Sequence, residues 1–322
     1  MKALVLEDYK KLKIDDVPEP EIGANDILIE VRSCGICGSD VHGFDGSSGR
    51  RIPPIIMGHE ASGDIAKIGN NVNRFVPGER VTFDSMISCG RCVFCRRGRP
   101  NLCEDRRVLG VSCDDYRRHG AFAEYVAVPE SIVFALPDAL PYDEAAMVEP
   151  VSVAVHAVNR TRVTLGDSAV VVGAGMIGLL TIQALRTAGC GRIIAVDLAT
   201  DRLELASKLG ADETIVSGGD TDVVAVIQEK TGGLGADVVL EAVGADATVT
   251  MSIESVRKGG TVTLIGNVTP TVNLGLQSVV TREISVLGSC ASSNDYPSCL
   301  ELMARGSIRV APILSASVPL EK

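Results

Sequence analysis

Ala169-Val-Val-Val-Gly173-Ala-Gly175-Met-Ile-Gly178 is the stretch that decides the fold of this 322-residue chain. Its opening apolar, mostly β-branched residues have the composition and length of a buried strand, and the apolar run after Gly178 has the length of a helix. Three glycines spaced G-x-G-x-x-G join the two. Glycines here permit a tight turn and let a pyrophosphate approach the free amides at the helix N-terminus. A second strand, Ile193-Ile-Ala-Val196, follows and ends in Asp197, 19 residues beyond Gly178. A carboxylate there accepts bonds from an adenosine ribose and repels a 2′-phosphate, which points to NAD over NADP. The plain alternative is a glycine-rich packing turn; strand, helix and acid together favour the nucleotide.

Beyond Asp197 the alternation continues, with helices expected over 202–209 and 221–230 and strands over 213–216, 236–240, 260–265 and 284–287. One more helix falls between the strands at 236–240 and 260–265. Six strands with helical crossovers make a doubly wound parallel sheet. Residues 295–303 read as a further helix and 308–318 as strand-like. Upstream the texture differs. Residues 1 to about 150 are short strands broken by Gly, Pro and Asn, at 3–6, 26–31, 63–68 and 120–128, a β-rich and irregular half. Residues 1–13 read as one short alternating strand and not as a leader. The boundary between the halves is expected near residue 154.

The β-rich half holds two sets of metal-ligand residues. Cys34-Gly-Ile-Cys37-Gly-Ser39-Asp40-Val-His42 and Gly58-His59-Glu60 supply thiolate, imidazole and carboxylate, which zinc accepts. On this stretch alone, a buried structural thiol and an ordinary loop histidine fit equally well. Cys89, Cys92, Cys95 and Cys103, spaced C-x2-C-x2-C-x7-C, could close a tetrahedral zinc shell with no room for substrate. Four unrelated thiols or an iron–sulfur site are the alternatives. The nearby Arg91, Arg96, Arg97 and Arg99 would help keep those thiolates charged. Cys34, Cys113, Cys190, Cys290 and Cys299 read as core or incidental thiols. Glu149, in the apolar run of a helical stretch starting near 143, needs a partner; a metal is one, and a helix-end carboxylate in water the other reading. His156 reads as a packing histidine, and Arg117-Arg118 as a solvated pair or a contact for an anionic substrate.

Composition narrows the function. A net charge of −10 leaves no electrostatic footprint for nucleic acid. The glycines interrupting 169–185 turn the most apolar region into strand, turn and helix, so no membrane span is expected. Ten cysteines without a leader point to metal and free thiols in the cytoplasm.

Taken together, Gly-Ile-Cys37-Gly-Ser-Asp, Gly-His59-Glu60, the four-cysteine lobe, Glu149-Pro150 and the nucleotide fingerprint resemble, in order, the zinc-dependent medium-chain dehydrogenase/reductases. The polyol branch, typified by sorbitol dehydrogenase, is the most similar, since a Glu at position 149 fits it better than the Cys of typical alcohol dehydrogenases. The resemblance implies a GroES-like catalytic domain over 1–153, with a structural zinc lobe at about 86–105. A Rossmann NAD-binding domain over 154–294 and a shortened return to the catalytic domain over 295–322 complete it, with the active-site zinc in the cleft. It implies two zinc ions per chain. The catalytic one is held by Cys37 and His59, with Glu60 or Glu149 completing the shell directly or through water, and the structural one by Cys89, Cys92, Cys95 and Cys103. Asp40 is implied to fix the His59 tautomer. Ser39 would pass the substrate proton through the cofactor ribose, with His42 as outlet; Asp197 and Arg202 would hold the adenosine ribose. Gly173, Gly175, Ile177, Gly178, Val243 and Ile265 are the remaining expected cofactor contacts. The activity implied is NAD-linked oxidation of an alcohol or polyol to a ketone by a homodimer or homotetramer, paired through the edge strand near Ile284. Two departures stand out. Ser-Cys290-Ala-Ser-Ser replaces the Arg and Tyr with which sorbitol dehydrogenases contact polyol hydroxyls, which keeps galactitol-phosphate, threonine and diol substrates open. The helix and last strand that relatives carry after Val-Pro-Leu-Glu321 are also missing here, which leaves open a truncated NAD-binding member without activity. A zinc-free quinone reductase is disfavoured by the retained ligands.

Overall fold

The computed structural model describes residues 1–113 and 116–321. The chain divides into two compact units, Met1–Glu149 with Tyr296–Ala304 and Leu314–Lys322, and Pro150–Asp295 with Arg305–Ile313.

The second unit is built on six parallel strands, Ser168–Val172, Arg192–Asp197, Glu213–Val216, Ala236–Glu241, Val256–Leu264 and Ser285–Gly288. In space they run third, second, first, fourth, fifth, sixth. Continuous apolar runs suit strands covered on both faces, and Val170, Ile194, Val239 and Val262 are wholly buried in one core. The order reverses between Ser168–Val172 and Ala236–Glu241. That reversal leaves a crevice beyond the strand ends, where sheets of this kind bind ligands. This is the doubly wound sheet that the alternation predicts.

The first unit is antiparallel. Its main sheet runs Tyr125–Pro129, Asp26–Gly35, Glu60–Ile68, Arg80–Phe83, Val133–Ala135. Ile27, Ile29, Val81, Phe83 and Val128 fill its core. A smaller sheet joins Lys2–Asp8, Lys11–Asp16 and Ile55–Ile56 over Ala3, Leu6 and Phe122.

Three stretches differ from the sequence reading, among them 120–128, where the strand covers only Tyr125–Pro129. Residues 1–13 are not one strand; the chain reverses at Tyr9-Lys10, with Lys10 at φ 61°, and Leu4 pairs with Ile14. Residues 308–318 contain a 3-10 turn at Ala311–Ile313 in place of the expected strand. β-Branched content favours a strand only where a neighbour supplies the ladder. His156 lies in the helix Val148–Thr161 and sets Nδ1 3.0 Å from Asp295 Oδ2, as a packing histidine does. Among the described residues no helix is long and apolar enough to cross a membrane.

Candidate active site

Strand pairing assembles the first ligand set. Gly35 at the end of Asp26–Gly35 pairs with Glu60 at the start of Glu60–Ile68. That register places Cys37, just past the first strand, beside His59, just before the second. A sulfur of Cys37, a ring nitrogen of His59 and a carboxylate oxygen of Glu60 lie within 4.8 Å of one another. Glu149 falls outside this group.

A short helix, Gly38–Phe44, locks the set. Cys37 caps it: Ser39 N donates to Cys37 Sγ at 3.5 Å, and Cys37 N donates to Asp40 Oδ2 at 3.2 Å. The other oxygen, Asp40 Oδ1, stands 3.5 Å from His59 Nδ1 and 3.3 Å from Arg51 Nη2. The first distance is long for a hydrogen bond, and His59 Nδ1 is buried without a partner within that reach.

Around a single imidazole, Glu60, Asp84 and Asp40 act electrostatically on Glu149, and Asp40 acts on Glu60. Burial raises the Glu60 carboxyl, with Asp40 adding to it. Glu149, half-buried, is pushed up to about 8 by burial and then by the charge of Glu60. Burial would likewise raise Asp40, but His59 and Arg51 outweigh it and hold the carboxyl below its ordinary value. For His59 burial works downward, and contacts with Asp40 and Cys37 override it and lift the ring well above its ordinary value. A cation among Cys37, His59 and Glu60 relieves this crowding. Glu60 Oε1, buried without a hydrogen-bond partner, is the group that such an ion would satisfy. Thiolate, imidazole and carboxylate with a fourth position open fit zinc in a catalytic setting.

Ser39 and His42 sit one turn apart on the helix, both exposed. His42 Nδ1 lies 3.3 Å from Ser47 Oγ. Arg117 is exposed and Arg118 half-buried. Arg117 donates to the carbonyls of Ile52, Pro53 and Pro54, and Arg118 to that of Ala127, so both brace neighbouring chain.

The four lobe cysteines also converge, their sulfurs lying within 4.8 Å of one another. Cys92 Sγ and Cys95 Sγ are 3.5 Å apart, close to the roughly 3.8 Å that zinc–sulfur bonds of about 2.3 Å impose on a tetrahedron. Backbone amides, not the arginine side chains, pull thiols down here. The amides of Arg91 and Cys92 lower Cys89, and those of Cys95 and Glu104 bring Cys92 to about 6. Burial raises Cys103 to about 11. Cys34 and Cys190 are free thiols raised by burial, Cys290 is exposed, Cys299 buried, and the side chain of Cys113 lies outside the described residues.

In the second unit the glycine loop joins Ser168–Val172 to the helix Met176–Thr187. A Cβ on Gly178 would stand 1.8 Å from Gly173 O, so packing alone demands glycine there. Gly175 is different: it caps the helix at φ −71°, and a Cβ there would meet nothing within 4 Å. Neither backbone nor packing explains that glycine, whereas a pyrophosphate over the helix N-terminus does. Ile177 lies in the first helical turn, and Val243 and Ile265 follow the strands Ala236–Glu241 and Val256–Leu264 at their carboxyl ends. Asp197 accepts from Ala174 N at 2.7 Å and Ala199 N at 2.9 Å, and its Oδ2 is 3.8 Å from Arg202 Nη1. A carboxylate has about four acceptor sites, so capacity remains for a ribose.

Two residues carried no sequence signal. Arg51, beside the exposed Arg50 in a polar stretch, is 4% exposed. Tyr296 is buried, stacked on Phe134 with ring centroids 5.2 Å apart, its hydroxyl without a hydrogen-bond partner.

Both units match families of known proteins. Residues 23–138 match the alcohol dehydrogenase GroES-like domain and residues 177–305 the zinc-binding dehydrogenase family. Sorbitol dehydrogenase of Bacillus subtilis is 36% identical over 328 residues, covering 100% of this chain and 91% of that protein. The alcohol dehydrogenase TADH of Thermus sp. ATN1 superposes with a TM-score of 0.94 at 32% identity, over 100% of this chain and 94% of its own. A Sinorhizobium meliloti 1021 structure bound to NADP gives 0.91 at 35% identity, over 98% and 91%.

Proposed function

Because the chain belongs to the zinc-dependent medium-chain dehydrogenase/reductases, we propose that it oxidises a secondary alcohol of a polyol or sugar alcohol to a ketone, with NAD as acceptor. The observation that carries this is the convergence of Cys37, His59 and Glu60 beside a helix presenting Ser39 and His42. When bound, zinc supplies a Lewis acid that acidifies the alcohol hydroxyl, and the dinucleotide supplies a hydride acceptor. Cys37, His59 and Glu60 hold the metal, and Glu149 stands behind them as a reserve carboxylate. Asp40 fixes the orientation of the His59 ring. Ser39 takes the hydroxyl proton and His42, exposed one turn on, returns it to solvent. Cys89, Cys92, Cys95 and Cys103 close a second, structural zinc. Gly175 leaves room for the pyrophosphate, Asp197 and Arg202 take the adenosine ribose, and Ile177, Val243 and Ile265 line the cofactor. Asp197 favours NAD, although one structural relative was solved with NADP. The sorbitol dehydrogenase relative supports a polyol. We read the assembly as a homodimer or homotetramer formed along the edge strand Ser285–Gly288, and the compartment as the cytoplasm, where the free thiols persist.

The test is the initial rate of NAD reduction across sugar alcohols, their phosphates, small diols and threonine. The expected result is turnover with one class, lost on chelation and in His59→Ala while NADH binding survives. Two zinc ions per chain with no rate on any class would overturn the dehydrogenase reading.

A further inference from the structure

Arg51 is a buried cation that nothing in the ligand sets requires. Its side chain is 5% exposed, and its Nη2 donates to Ser39 Oγ at 3.2 Å and to Asp40 Oδ1 at 3.3 Å. One nitrogen bearing two hydrogens thus reaches both the proposed relay hydroxyl and the acid behind His59. The placement is costly, since Nε of the same guanidinium is buried without a partner. It is also well fixed. Arg51 forms a parallel bridge with Ser112, and Ile52 N donates to Ser112 Oγ at 2.6 Å. Its stem crosses the relay helix at Gly43, where a Cβ would stand 2.2 Å from Arg51 Cγ. Gly43 lies in the last turn of the helix Gly38–Phe44, and the absence of a side chain there opens the path that Arg51 takes.

Granted the dehydrogenase reading above, on which this rests, we infer that Arg51 is a positioning residue for proton transfer through Ser39. A serine hydroxyl has one proton and two lone pairs. Arg51 fills one lone pair and, being permanently charged, cannot exchange protons with it. The other lone pair is left to accept the proton of the substrate hydroxyl while Ser39 gives its own proton onward, so one O–H bond forms on Oγ as another breaks. The guanidinium also faces Oγ with fixed positive charge while that exchange is under way, and it lies opposite His59 on Asp40, setting the carboxylate between them. An Arg51 that merely neutralised Asp40 would stabilise the fold without touching the relay.

A double-mutant cycle separates the two. Arg51→Gln is expected to lower kcat about tenfold, the worth of one charge-assisted hydrogen bond. KM should change less than twofold, the solvent deuterium isotope effect on kcat should rise, and zinc content and NADH affinity should be unchanged. In a Ser39→Ala background the same change should alter kcat less than twofold, because the group through which Arg51 acts is gone. Arg51→Lys should recover part of the rate. Gly43→Ala, which keeps the charge but displaces the stem, should reproduce the isotope effect and covers the case in which Arg51→Gln fails to fold. Additive losses, or an unchanged solvent isotope effect in Arg51→Gln and Gly43→Ala, would overturn the inference. A wild type that binds zinc and NADH yet turns over no alcohol would instead defeat the parent reading, and the inference with it.

Discussion

Asp197→Ser is the sharpest probe of cofactor choice. The carboxylate lies at the end of Arg192–Asp197, 9% exposed, and is held by the amides of Ala174 and Ala199. A 2′-phosphate within about 4 Å would meet about 1 kcal/mol of repulsion per charge pair in water and about 4 at an effective dielectric of 20. With the phosphate carrying about −1.5 to −2, a mid-range penalty of about 3 kcal/mol disfavours NADP about 100-fold. Serine removes that charge. It also removes the proposed charge-assisted bond to the ribose, worth about 1.5 kcal/mol or about tenfold in NAD affinity. Arg202, 57% exposed and 3.8 Å from Asp197, loses its acidic neighbour and becomes available to the phosphate. The ratio of NADPH to NADH dissociation constants should therefore fall about 1,000-fold between wild type and variant. Fluorescence titration of each reduced cofactor measures it without needing a substrate. Equal wild-type affinities for the two, or a ratio unmoved in Asp197→Ser, would refute the assignment of Asp197 as the discriminating group.

Other outcomes follow from single contacts. Gly178→Ala places a Cβ 1.8 Å from Gly173 O, so the loop must shift and NADH affinity should drop at least about tenfold, with zinc content by mass spectrometry unchanged. Cys92→Ser should lower bound zinc from two per chain to one and depress the melting temperature, while NADH affinity stays as in wild type. Asp237 is held below its ordinary value because bonds from Ser168 and Arg257 outweigh the raising effect of burial. A depressed folded value gives stability that is present above the unfolded pKa of about 3.9 and lost as pH falls through the folded one. Asp237→Asn should thus cost about 1 kcal/mol at pH 6, with the difference shrinking in chemical denaturation as the pH falls below the unfolded value of about 3.9; a constant difference would contradict the pairing.

What the sequence determined was what lies close along the chain. Strand, glycine turn, helix and Asp197 fall within one stretch, and a period-based reading finds them because each element's burial is written in its own residues. The lobe is legible for the same reason: four thiols within fifteen residues can reach one point whatever the rest of the fold does. Cys37 and His59 are only suggestive in sequence, because what brings them together is the pairing of Gly35 with Glu60, a register that neither strand specifies alone. Arg50 and Arg51 make the point at its strongest. They are adjacent and chemically identical, yet one is exposed while the other is buried against Ser39 and Asp40. Likewise residues 308–318 have strand-like composition and form no strand, since a strand is defined by a neighbour's hydrogen bonds and not by its own side chains. Local chemistry could therefore be read from the sequence, whereas long-range partners, and with them burial, charge state and the choice between Glu60 and Glu149 as the nearer carboxylate, were decided only by the tertiary structure.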